Sequence, residues 1–127
     1  MKRDMELCRK ILFAIEEEYE DVVIYNLSID GYTMKQVAYH CKVLYDGGYI
    51  SAYSAQYGDD EIDFFAVGSL TWDGHDFLDK IREDTVWNKT KNTIKSKGLP
   101  MVLDVIKDVA SAVITSMTSA AISGMIK

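Results

Sequence analysis

Residues 33–48 read TMKQVAYHCKVLYDGG, and residues 49–70 continue as YISAYSAQYGDDEIDFFAVGSL. The change of rhythm between these two stretches decides the fold. In the first, Val37, Cys41 and Leu44 recur at steps of four and three residues, the spacing of one inward helical stripe. Thr33 stands where an N-cap is wanted, and Asp46, Gly47 and Gly48 stop the helix. In the second, two β-branched and aromatic runs, 49–57 and 61–70, meet around Gly58, Asp59 and Asp60. That pattern predicts a β-hairpin.

Working outward toward the N-terminus, residues 22–29 (VVIYNLSI) read as a short strand, and Asp30 and Gly31 supply a turn. Residues 3–19 are helical, with Met5, Cys8, Leu12, Ile15 and Tyr19 on one stripe and Ile11 beside it. Asp4 sits at the start of that helix, where a negative charge suits the positive end of its dipole. Glu16, Glu17 and Glu18 lie near the other end, which reads as a solvated, fraying terminus.

Toward the C-terminus, Thr71 caps a helix carrying Phe77, Leu78 and Ile81. Thr85, Val86 and Trp87 either continue it or open a short successor through Ile94. Gly98, Leu99 and Pro100 make the one strong break. Beyond it, Val102, Val105, Ile106, Val109, Val113 and Met117 form one helical stripe, after which Ile122, Met125 and Ile126 project to other sides. Helix, short strand, helix, two-strand wing, helix is the order of a winged-helix domain, an α+β arrangement, here with an added C-terminal helix. The expected division is 1–97 for the winged-helix-like domain and 98–127 for the small-residue-rich tail.

Composition sets the outer bounds. The chain has 127 residues, 48% of them apolar and 27% charged, the balance of an ordinary globular domain. Fourteen Lys and Arg against twenty Asp and Glu leave a net charge of −6, which excludes wholesale electrostatic capture of nucleic acid. Cys8 and Cys41 are too few for a disulfide scaffold and are expected as buried thiols in a reducing cytoplasm. The charged start, from Lys2 and Arg3 to Arg9 and Lys10, offers no signal-peptide core. A cytoplasmic location is the expectation.

Four blocks carry a family resemblance. Residues 39–50 (YHCKVLYDGGYI) look like the helix-to-wing passage of winged-helix regulators, and residues 70–78 (LTWDGHDFL) like their wing-to-helix passage. With Lys2, Arg3, Asp4 and Met5, and with the later Ile81, Arg82, Glu83, Asp84 and Trp87, they resemble a group of small bacterial and prophage proteins, domain-of-unknown-function family 2513. The resemblance covers roughly residues 1–95. It implies a winged-helix-like fold and a mobile-element setting, and it brings no established activity or site residues. One departure from an ordinary helix-turn-helix is visible. The segment before Thr33 reads as strand and turn, so the first helix of that motif is missing or irregular, which counts against ordinary major-groove docking.

For nucleic-acid readout, the helix after Thr33 presents Lys35, Gln36, Tyr39, Lys42 and Val43 outward. Lysines contact phosphates, and Gln and Tyr reach base edges. A second basic group, Lys89, Lys91, Lys95 and Lys97, follows Trp87 with no acid between its members. Both groups also read as solvated helix surface. Against DNA, Asp59, Asp60, Glu61 and Asp63 crowd the tip of the wing, where tracking a phosphate backbone needs Lys or Arg. No metal-ligand spacing, phosphate loop or nucleophile elbow occurs, so neither an enzyme nor a cofactor is expected. His40 is read as a hydrogen-bonded structural histidine at the helix surface. Asp73, His75, Asp76 and Asp79 are read as electrostatic trim.

The tail has eighteen uncharged residues from 109 to 126, with Ala112, Ser116, Ala120 and Gly124 at every fourth position. That spacing lets helices pack closely. The serines and threonines scattered through it leave it poor for membrane insertion. Self-association, or packing on the domain body, through Val105, Val109, Ala112, Val113, Ser116, Met117 and Ala120 leads over a frayed end. The leading functional expectation is a DNA-linked regulator of transcription or of a phage or mobile element, binding double-stranded DNA as a homo-oligomer held by residues 99–127. The alternative is a protein–protein interaction module, with a host or phage partner, that keeps the winged-helix shape without DNA. The tyrosine-rich first half favours the latter.

Overall fold

The computed structural model describes residues 1–126, the side chain of Ile126 excepted. In chain order it contains α1 (Met5–Glu18), β1 (Ile24–Tyr25), α2 (Met34–Asp46), β2 (Tyr53–Gly58), β3 (Glu61–Val67), α3 (Trp72–Ile81), α4 (Asp84–Ser96) and α5 (Leu103–Ile126). The three strands form one antiparallel sheet in the order β1-β3-β2. The fold is α+β and winged-helix-like, with a C-terminal helix added. The chain packs as two compact units, the first ending at Leu78 and the second starting at Asp79.

In the first unit, Leu7, Cys8, Ile11, Leu12 and Ile15 of α1 and Val37, Cys41 and Leu44 of α2 are buried with Phe65 and Val67 of β3. The hairpin turns on Asp59 and Asp60, both at positive φ (51° and 66°), which is the two-residue turn whose twist suits paired strands. A bulge follows between Gln56 and Tyr57. Before Tyr53 the two segments stay linked: the Gly68 N–H donates to the Ala52 carbonyl (2.9 Å), the Ser51 N–H donates to the Ser69 carbonyl (2.8 Å), and Ile50 bridges Leu70. The strand expected over 22–29 is only two residues long, because Asn26 turns left-handed (φ 52°) and takes the chain out of the sheet. Its side-chain carbonyl then accepts from the Phe65 N–H at 3.1 Å in place of a ladder bond.

Among the described residues no helix separates β1 from α2. A turn closed by the Tyr32 N–H on the Ile29 carbonyl stands there instead, so the first helix of a helix-turn-helix is absent. At the far end of α2, Gly48 adopts φ +84°, while its N–H and that of Tyr49 reach back to the carbonyls of Tyr45 and Leu44. This is the glycine-dependent helix stop, and Gly98 repeats it after α4.

The second unit is helical. Glu83 is the N-cap residue of α4, so residues 85–87 belong to a new helix rather than to a continuation of α3. Val86, Trp87, Thr90 and Ile94 of α4 and Ile106 and Ala110 of α5 are buried. The stripe expected along α5 is therefore rotated. Of its members only Ile106 is fully covered, Ala110 joins it, and Met117 is 38% exposed. The helix nonetheless continues unbroken after the apolar periodicity ends.

Candidate functional site

Helix α2 is held by local chemistry and by one long-range tie. Thr33 and Gln36 form a capping box: the Gln36 N–H donates to Thr33 Oγ1 (3.2 Å) and the Thr33 N–H donates to Gln36 Oε1 (2.9 Å). Gln36 is thus committed to its own helix terminus. His40 is buried, not at the surface as its sequence position suggested, because it reaches inward to α1. Its Nδ1–H donates to the Gln36 carbonyl (2.7 Å), and its Nε2 accepts the Asp4 N–H (2.8 Å). Asp4 in turn caps α1 through the N–H groups of Glu6 and Leu7, and accepts from the Tyr32 hydroxyl at 3.3 Å.

The outward face of α2 meets the hairpin across a groove of about 390 Å³. Met34, Lys35, Tyr39 and Lys42 form its helical wall, with Ala38 beneath. Tyr53, Tyr57 and Ile62 form the opposite wall, and Asp60 and Glu61 stand at its end. Three sequence-expected residues, Lys35, Tyr39 and Lys42, come together here. Lys42 pairs with Asp46 at 2.9 Å, and that hydrogen bond raises its pKa. Tyr53 has its hydroxyl pushed up to about 12, by burial first and then by Tyr57. Tyr53 and Tyr57 stand out in the sequence only as two of the eight tyrosines of the first half, and Ile62 does not stand out at all. The alternation of the two strands was the available signal, but it does not tell which face of the hairpin lies beside α2.

The other expected residues lie in the second unit. Lys91 sits over the Trp87 ring at 5.4 Å. Lys89 borders a second groove, of about 610 Å³, together with Val109, Ala112, Val113, Ser116 and Met117 of α5. Val105 is half-buried and Ala120 exposed, both outside that lining.

Chemically reactive groups are scarce. Cys8 and Cys41 are free and buried, and burial pushes both thiols up to about 12, which leaves them neutral and inert. Among the described residues no three His, Cys, Asp or Glu side chains converge as a metal site. Charge is unevenly divided. Residues 1–78 carry six Lys and Arg against fifteen Asp and Glu, a net −9, whereas the remainder carries eight against five, a net +3. Asp59, Asp60, Glu61 and Asp63 are all exposed.

Three of the resemblance blocks meet inside the first unit. The Thr71 hydroxyl donates to the Gly48 carbonyl (2.6 Å), and its N–H donates to the Tyr49 carbonyl (3.1 Å). The Tyr49 ring lies 5.7 Å from that of Phe77. Gly74 is buried so close to the Tyr49 carbonyl that a Cβ would collide with it. Asp4 and His40 join the N-terminal block to the same assembly. The shared residues are chiefly scaffold, and only Tyr39 and Lys42 among them line the groove.

The chain is similar to an uncharacterised protein of Haemophilus influenzae, 45% identical over 127 aligned residues that cover 92% of this chain and 98% of that protein. No solved structure matches it. The model of the hypothetical-protein family DUF2513 matches residues 2–100, and with that match the chain belongs to this family.

Proposed function

We propose that the chain is a protein-recognition module acting in the cytoplasm, with the groove between α2 and the β2–β3 hairpin as its working surface. The observation that carries this reading is the net −9 of the unit that bears the groove. Its hairpin tip is acidic where a wing that follows DNA is basic, and like charge repels a phosphate backbone. The groove walls are mainly apolar and aromatic, the composition of an interface core. The partner that fits is a protein with an apolar anchor for the groove and Lys or Arg facing Asp60 and Glu61. The module needs no catalytic residue.

DNA-linked regulation, in a phage or mobile-element setting, is the second reading. The winged-helix-like order and the exposed Lys35 and Tyr39 on α2 favour it. Two measurements separate the two readings. The first is fluorescence anisotropy against a mixed pool of labelled duplexes at low and near-physiological salt. The second is photo-crosslinking in native cells from a probe at Tyr57, with a probe at the exposed Glu17 of α1 as control. Protein recognition predicts no salt-sensitive duplex binding and one protein crosslinked from Tyr57 but not from Glu17. Duplex binding that weakens steeply with salt and disappears in Lys35→Glu/Lys42→Glu would establish the DNA reading instead.

A further inference from the structure

The two edges of the sheet are finished differently. On the β1 side the ladder stops after two residues, because Asn26 turns left-handed and its side-chain carbonyl takes the Phe65 N–H. Glu61 and Asp63 put charge on the rest of β3. The β2 side has no such device. Tyr53–Gly58 (YSAQYG) is uncharged and free of proline, although charge, proline and bulges are the usual protection of an exposed edge. Its bulge lies on the partner strand. Asp63 is the residue passed over between the Gln56–Phe64 and Tyr57–Ile62 pairs, so β2 itself keeps a regular two-residue period.

That period fixes what the edge offers. Antiparallel neighbours bond across at every second residue. The Ala52 carbonyl takes the Gly68 N–H, so the inward bonds of β2 belong to Ser54 and Gln56, opposite Ala66 and Phe64, and then to Gly58 at the turn. The N–H and C=O groups of Tyr53, Ala55 and Tyr57 point the other way, and β2 ends the strand order on that side. Meanwhile the side chains of Tyr53 and Tyr57 line the groove beside α2. A strand added to this edge sends every second side chain into the same groove, because residues opposite each other in a ladder share a face.

We propose, resting on the protein-recognition reading above, that the partner enters as an extended segment of another protein, added to β2 as a fourth strand. Main-chain bonds to Tyr53, Ala55 and Tyr57 supply affinity, and alternate apolar side chains in the groove supply selectivity. Asp60 and Glu61 stand at the groove's end, next to Gly58, so the segment carries Lys or Arg there. A second copy of this chain is a poorer occupant, since it brings another unit of net −9 to the same edge.

The test starts from a phage-displayed library of random short peptides panned against the full chain. The strongest binder is synthesised with a fluorescein label and titrated by anisotropy. Selected sequences should alternate apolar and polar residues and carry Lys or Arg at one end. Ala55→Pro removes the central edge N–H and should weaken binding about tenfold or more. Proline is tolerated on an edge strand, and an unchanged circular dichroism spectrum checks the fold. Methylating the peptide's own backbone nitrogens asks the same question with the protein unaltered. Methyl groups on the nitrogens that face β2, every second one, should abolish binding, and those between should leave it intact. Should Ala55→Pro lose its fold, this methylation pattern alone decides. Tyr39→Ala cuts the opposite wall of the groove without touching the edge, and it should also weaken binding. Binding that falls with Tyr39→Ala but ignores Ala55→Pro and the methyl positions overturns strand addition and leaves the groove as the recognition surface. A library that yields no binder likewise overturns strand addition alone. Binding indifferent to the edge and groove changes alike overturns both. A parent that is dimeric on a sizing column and monomeric as Ala55→Pro assigns the edge to a second copy, which overturns the choice of partner.

Discussion

The unit that ends at Leu78 and the unit that follows it differ in almost every physical respect. The first mixes helix and sheet, carries a net −9 and holds all eight tyrosines; the second is helical, carries a net +3 and has none. The first buries Tyr49, Phe65 and Phe77 among the aliphatic side chains of its helices and sheet. The second depends on one large side chain, Trp87, and on a short contact between two helices of unequal length. A chain-wide net charge of −6 conceals this division. A partner of either unit meets chiefly that unit's own charge, because salt screens the field beyond about a Debye length. The net −9 of the first unit, rather than the chain-wide −6, is what the proposal of a protein partner rests on.

The largest effect is expected from Trp87→Ala, which removes the largest buried side chain of the second unit at a cost of about 3–5 kcal/mol. Thermal unfolding followed by circular dichroism should then split, with helical signal lost early and the sheet-bearing unit melting later. A single transition displaced as a whole would mean that the two units fold as one.

Gly74→Ala is the counterpart in the first unit. The new methyl meets the Tyr49 carbonyl, backbone that cannot swing aside, and overpacking of this kind costs about 1–3 kcal/mol. Urea unfolding should show the loss, and an unchanged midpoint would show that α3 lies less close to the Tyr49 carbonyl than described.

A smaller change of opposite sign is expected at Thr90. Its side chain is fully buried, and its hydroxyl has no hydrogen-bond partner among the described residues. Thr90→Val keeps the shape and removes the unsatisfied group, so the second unit should gain about 1 kcal/mol. A loss of stability would reveal a partner for that hydroxyl.

The smallest effect at neutral pH belongs to the thiols of the first unit. Cys8 and Cys41 ionise from their ordinary value of 9.0 when unfolded but only at about 12 when folded. A raised pKa in the fold adds stability that is complete below pH 9 and is lost as pH climbs from 9 toward 12. Alkylation by iodoacetamide at pH 8 should be negligible in the native chain and complete in urea. Rapid native alkylation would expose a dynamic first unit.

Much of this was legible in sequence where the signal is local. The inward positions Val37, Cys41 and Leu44, the Thr33 cap and the Gly48 stop all follow from spacing and backbone preference within a few residues. The short strand was overextended because Val22 and Val23 have strand-like side chains, whereas Asn26 turns the backbone out of the sheet. The candidate site was half legible. Lys35, Tyr39 and Lys42 were found from helical phase, while Tyr53, Tyr57 and Ile62 were not, since their meeting with α2 depends on the bulge and on the seating of the hairpin. Gln36 looked outward by phase, yet its amide is taken up by the capping box.

By itself, the sequence determined the order of elements, their caps and stops, the inward thiols and the uncharged stretch near the C-terminus. Each of these depends on side-chain period or on φ preferences within one or two turns of chain. Only the tertiary structure decided that His40 is buried against the cap of α1, that Gly74 must lack a side chain, that the groove lies between α2 and the hairpin, and that charge divides at Leu78. Those outcomes depend on which residues far apart in the chain come within a few ångströms of one another, and no local period encodes that.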